Sequence, residues 1–108
     1  MSSTFEELAN LDRLIHEPAR LAILTALASC QKTDFTFLQR LTGLSAGNLS
    51  VQLSKLEEAK FINTEKKIVA KRTKTHVFIT SEGQEAISQY WKKMEDLHNA
   101  AGKWKSEE

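Results

Sequence analysis

The stretch from Thr42 to Phe61 constrains this chain more than any other. Gly43 is a natural stop for one helix, because helices often end on a left-handed glycine, and Ser45 is a good cap for the next. Leu49, Leu53 and Leu56 then fall at i, i+4 and i+7, a single apolar stripe on a helix over about residues 45–59. From Phe61 the periodicity changes. Ile62, Ile68 and Val69 lie in a β-prone run, and Val77 and Ile79 alternate with His76, Phe78 and Thr80. Between these runs sits a basic tip, Ala70-Lys71-Arg72-Thr73-Lys74. A helix, a tight turn, a second helix and a hairpin therefore follow one another with no linker between them.

The flanking segments read as helices. Phe5, Leu8, Leu11 and Ile15 have helical spacing and predict a first helix from about Thr4 to Ile15. Pro18, the only proline, suits the first turn of a second helix, where a missing N–H costs nothing. Leu21, Ile23, Leu24, Leu27 and Ala28 make that helix apolar over much of its circumference, so it is expected to run through the core to about Ser29. Thr33 to Phe35 reads as a short strand, and Thr36 starts a brief helix with Phe37, Leu38 and Leu41 inward. Thr80 is positioned to cap a last helix reaching about Trp104, with Glu82 in its first turn. The fold class is mainly α with a small β-hairpin: a winged helix-turn-helix with a long C-terminal helix.

Size and charge narrow the function. The 108 residues fit one domain spanning 1–108, with hydrophobic and charged fractions of 41% and 27% that are ordinary for a soluble protein. No apolar run approaches the ~20 residues that span a bilayer, and Met1 to Asn10 lacks the basic start of a secretory signal, so a cytoplasmic location is expected. The net charge is only +1, but it is unevenly spread. Residues 60–80 hold Lys60, Lys66, Lys67, Lys71, Arg72 and Lys74 against Glu65, which is +5, whereas residues 1–19 carry −3 and residues 81–108 carry −2. A local patch of this kind can meet phosphates on a near-neutral protein. Cys30, the sole cysteine, excludes an internal disulfide and reads as a buried or half-buried residue at a helix end. His16, His76 and His98 have no partner at ligand spacing, so no metal site or cofactor is expected. There is no Gly-rich phosphate loop or nucleophile elbow, and the adjacent Glu57 and Glu58 diverge by about 100° on a helix, so no catalytic residues are expected.

With the leucines of the 45–59 helix facing the core, Gly47, Asn48, Val51, Ser54 and Lys55 fall on the opposite side, flanked by Ala46, Ser50 and Gln52. These side chains are small or polar, a surface that fits a major groove about 12 Å wide. Asn48 and Gln52 can bond adenine N6 and N7, Val51 can touch a thymine methyl, and Ser45 and Ser50 can bond phosphates. Lys71, Arg72 and Lys74 of the hairpin (66–76) would reach the backbone or the adjacent minor groove. Taken alone, the same residues also suit a plain solvated helix face and a hairpin edge guarded by lysines. On the last helix, Ile87, Tyr90, Met94, Leu97, Ala101 and Trp104 are spaced 3, 4, 3, 4 and 3, a heptad seam. Its part beyond about Lys92 reaches too far for so small a core. Segments 1–16 and 86–105 are therefore expected to supply a homodimer interface of Phe5, Leu8, Tyr90, Met94, Leu97, Ala101 and Trp104.

The chain resembles the MarR/ArsR-type winged-helix transcriptional regulators, most closely their small single-domain members. The resemblance is carried by His16-Glu17-Pro18-Ala19-Arg20-Leu21-Ala22-Ile23-Leu24 at the start of the core helix, by Leu44-Ser45-Ala46-Gly47-Asn48-Leu49-Ser50-Val51-Gln52-Leu53-Ser54-Lys55-Leu56-Glu57 in the recognition helix, and by Ile79-Thr80-Ser81-Glu82-Gly83 where wing passes to last helix. It implies double-stranded DNA binding by a homodimer at a pseudo-palindromic site, with half-sites about one DNA turn, ~34 Å, apart. It names no small-molecule effector. Two departures stand out. The family's usual glycine after the recognition helix is Lys60 here, and a left-handed Lys60 would cost about 1 kcal/mol relative to glycine. The cysteine and histidine clusters of metal sensors are missing. A winged helix used only for protein–protein contact is the alternative that the fold leaves open.

Overall fold

A computed structural model describes residue Glu6 and residues 12–104 of the chain. Seven elements follow in order: α1 (Pro18–Cys30), β1 (Lys32–Asp34), α2 (Phe35–Thr42), α3 (Ala46–Glu58), β2 (Ile62–Val69), β3 (Arg72–Ile79) and α4 (Ser81–Trp104). The three strands form one antiparallel sheet in the order β1-β3-β2. This is a winged helix fold.

Local chemistry sets most boundaries. Pro18 opens α1, and the Glu17 carboxylate accepts from the N–H groups of Ala19 and Arg20 at 3.2 and 2.9 Å. Asp34 ends β1 and caps α2 by accepting from Phe37 N at 2.8 Å. Gly43 stops α2 in the left-handed region, with φ 72°, and Ser45 caps α3 through Asn48 N at 3.1 Å. After α3, Phe61 N donates to Leu56 O and Lys60 N to Glu57 O, at 3.0 and 2.9 Å. That pair of bonds is a Schellman stop. Lys60 is its left-handed residue, with φ 68°, in the position where helices most often end on glycine.

Several sequence expectations are corrected. Residues 13–17 are turns and bends, so the predicted first helix does not reach Ile15; the rest of it lies outside the described residues. Ile15 is nevertheless buried in the core. In α2 only Leu38 is buried, while Phe37 and Leu41 are 45% and 57% exposed. A helix of eight residues presents one narrow stripe to the core, and Leu38 occupies it. The hairpin tip is two residues, not five. Val69 pairs with Arg72, leaving Ala70 and Lys71 as the loop, with φ 51° and 66°. Positive φ at both central residues marks a type I′ turn, whose twist matches the strands it joins.

The core is one cluster. Ile23, Leu24 and Leu27 of α1 meet Leu38, the α3 leucines, Ile62, Val77 and Ile87. Tyr90 and Leu97 belong to it as well, each only 5% exposed, with Met94 packed against it. Both were expected at a dimer interface. The core reaches further along α4 than Lys92, so their apolar surface is already covered within the single chain. Phe5, Leu8 and the Trp104 side chain lie outside the described residues. Cys30 is exposed rather than buried, with Sγ 3.3 Å from Ala26 O.

Candidate nucleic-acid interface

The back of α3 is fixed and its front is open. Leu49, Leu53 and Leu56 are buried, while Ser45, Ala46, Gly47, Asn48, Ser50, Val51, Ser54 and Lys55 are all exposed. The sequence placed every one of these correctly on the helix, because period 3.6 alone decides which side a residue faces.

Gln52 is half-buried, and its amide is engaged at both ends. Its Oε1 accepts from an Arg20 guanidinium nitrogen at 2.9 Å, and its Nε2 donates to Asn48 Oδ1 at 3.0 Å. Arg20 also donates through Nε to Leu14 O at 2.6 Å and pairs with Glu17 at 3.8 Å. Burial works to raise the Glu17 pKa, but the N–H groups of Arg20 and Ala19 and the charges of Arg20 and Lys55 outweigh it and hold the carboxyl below its usual range. Sequence reasoning did not single out Arg20. The signal was present: Arg20, Leu24 and Leu27 share a helix face, and a cation on a core-facing stripe needs partners.

The hairpin's cations divide between its two faces. Residues paired across strands share a face. Thr64 pairs with buried Val77, so Thr64, Lys66, Ile68, Thr73 and Thr75 face α3, whereas Glu65, Lys67, Val69, Arg72, Lys74 and His76 face away. Thr64 is clamped to α3: its N–H and Oγ1 donate to Glu57 Oε2 at 2.9 and 2.7 Å. An open groove of about 470 Å³ lies between α3 and the hairpin, bordered by Ser50, Ser54, Glu57, Thr64, Lys66 and Thr75. On the far face, Lys74 lies 3.6 Å from Asp34 and Lys67 lies 3.7 Å from Glu65. The Phe37 N–H bond, opposed by burial and helped by Lys74, keeps the Asp34 carboxyl below its usual pKa. Lys71 and Arg72, at the tip, have no acidic partner among the described residues. Of the three hairpin cations expected to meet phosphates, these two are unpaired and Lys74 is partly neutralised.

The joint between hairpin and last helix is tight. Thr80 Oγ1 lies 2.7 Å from Lys60 O and accepts from Gly83 N at 3.0 Å. Thr80 N donates to Phe61 O at 3.0 Å. A Cβ on Gly83 would sit 2.2 Å from Phe61 O, so only glycine fits there. On α4, Tyr90 Oη and His16 Nδ1 are 2.6 Å apart, and burial raises the tyrosine pKa.

Residues 19–98 match the winged helix DNA-binding domain family. The chain belongs to that family. An uncharacterised protein of Methanocaldococcus jannaschii is 33% identical over 78 residues, covering 72% of this chain and 85% of that protein. A transcriptional regulator homologue from Pyrococcus horikoshii OT3 superposes with a TM-score of 0.82 at 26% identity, covering 91% of this chain and 96% of that one. A MarR-family transcriptional regulator from Silicibacter pomeroyi shares the fold at a TM-score of 0.64 and 18% identity, over 89% of this chain and 62% of that one. This chain is thus a winged helix DNA-binding domain with a MarR-like fold. Among its described residues no helix is long and apolar enough to cross a membrane.

Proposed function

We propose that this winged helix domain is a homodimeric, sequence-specific transcriptional regulator. In this reading α3 enters the major groove, and the hairpin tip meets the backbone or the neighbouring minor groove. The carrying observation is the pairing of an open, small and polar face on α3 with the unpartnered cations Lys71 and Arg72. A helix about 10–12 Å across, side chains included, fits a groove about 12 Å wide, and small outer side chains let its backbone approach the bases closely. On α3 they are serine, alanine, glycine and asparagine, with Val51 and, further along, Lys55 beside them. Dimerisation is assigned to the end of α4, through Met94, Ala101 and Trp104, joined by Phe5 and Leu8. Two copies would then present their α3 helices to a pseudo-palindromic site.

Titration of a labelled random duplex at two salt concentrations tests the reading. Binding should weaken steeply with salt, and Arg72→Ala should flatten the slope of log K against log salt by about 0.9. Sedimentation should give a dimer. No binding at ~50 mM salt would instead support a protein–protein module. The exposed Phe37 and Leu41, one turn apart on α2, are the feature that favours that second reading.

A further inference from the structure

The hydrogen bonds running from α1 to α3 have a fixed direction, and that direction reaches Asn48. Arg20 carries donors only, so the Gln52 atom facing it must be the oxygen. The other end of that amide is then Nε2, which can only donate. The Asn48 atom facing Gln52 must therefore be Oδ1. This leaves Asn48 Nδ2, two N–H donors with no partner among the described residues, as its unspent group. No amide flip alters this outcome, because each step is forced by an arginine that cannot accept. Arg20 is itself held, by Leu14 O and by Glu17.

We propose that Arg20 is a specificity-determining positioning residue: acting through Gln52, it engages the Asn48 oxygen and makes Asn48 a donor-led reader that selects guanine. Rotated to choice, an asparagine offers one donor and one acceptor and matches adenine N6 and N7. Held as here, with Oδ1 already bonded to Gln52 and both Nδ2 donors free, it favours a base edge made of acceptors. Guanine N7 and O6 form such an edge in the major groove. Gln52 is half-buried and each end of its amide already makes a bond within the protein, which holds it back from base reading. The inference rests on the proposed seating of α3 in the major groove, and it replaces the adenine contacts that the residue types alone suggest.

The test is selection from duplexes with a randomised core, using wild type, Asn48→Ala, Gln52→Glu and Gln52→Leu. Asn48→Ala identifies the base position that Asn48 reads. Wild type should prefer guanine there by about 5- to 150-fold. Glutamate at position 52 accepts from both sides, so it should draw Asn48 Nδ2 inward and present Oδ1 instead. The preferred base at that position should then switch to one presenting a donor, cytosine or adenine. Gln52→Leu, which leaves Asn48 to rotate, should relax the guanine preference. A residue that merely braced the fold would change affinity at all positions and invert none. Adenine preferred by wild type at the Asn48-dependent position would overturn the proposal, as would guanine retained in Gln52→Glu, or a profile unchanged by Asn48→Ala. If wild type selects no sequence yet binds random duplex, base reading alone fails. If it binds no duplex, the proposed function fails and this inference falls with it.

Discussion

The helix-turn-helix body and the hairpin that leaves it are held by different physics. In the body, Leu38, Leu49 and Leu56 are fully buried, and turns are closed by side-chain caps and backbone bonds. In the hairpin, no residue from Glu65 to Lys74 is buried, and Ile68 is 81% exposed. Isolated hairpins are marginal in water, so this one depends on its base, where Glu57 clamps Thr64 and β1 pairs with β3. The lesson is a division of labour. Burial fixes where α3 points, whereas the hairpin's outer half contributes charge and reach with little effect on stability.

Substitutions can break that contrast. The largest effect is expected for Leu49→Ala, which removes a fully buried side chain and should cost about 2–5 kcal/mol in denaturant unfolding. Ile68→Ala, of similar chemistry on the hairpin, should stay within about 0.5 kcal/mol. Equal losses at the two positions would refute the division. Gly83→Ala should cost about 1–3 kcal/mol, since the added methyl meets the Phe61 carbonyl at a backbone-to-backbone contact. Lys60→Gly should raise stability by up to about 1 kcal/mol by relieving a left-handed lysine, and thermal melting would detect it. The smallest effect belongs to Asp34. Its folded pKa is lowered, so its contribution is fully present above its unfolded pKa and is lost as pH falls through the folded value, in the region below about pH 4. Asp34→Asn keeps a capping oxygen and drops the charge. Melting temperatures at neutral and acid pH should therefore lie closer together in that variant, by an amount equivalent to under about 1 kcal/mol.

What was legible in the sequence was local. Pro18, Gly43, Ser45 and Thr80 mark helix ends because each acts within a few residues of itself, and the structure uses all four. The leucine stripe of α3 sorted its faces correctly for the same reason. Errors arose where a distant partner decides. Phe37 and Leu41 look like core residues until the rest of the molecule shows how little of α2 is covered. The link from Arg20 to Gln52 spans 32 residues, and that between Lys74 and Asp34 joins two strands whose register no short pattern reveals. Ala70 and Lys71 carry none of the Asn-Gly chemistry that usually announces a type I′ turn, so the loop looked longer than it is. On α4 the heptad spacing was real, but a stripe does not say whether its own chain or a second one covers it.

The contact between Gly83 and Phe61 has a mechanical consequence. It fuses the exit of α3 and the first turn of α4 into one stiff elbow, with no slack segment between them. The 24-residue α4 is then an arm of about 36 Å rooted in that elbow. Torque applied near its tip would be delivered to the base of α3 instead of dissipating in a loop.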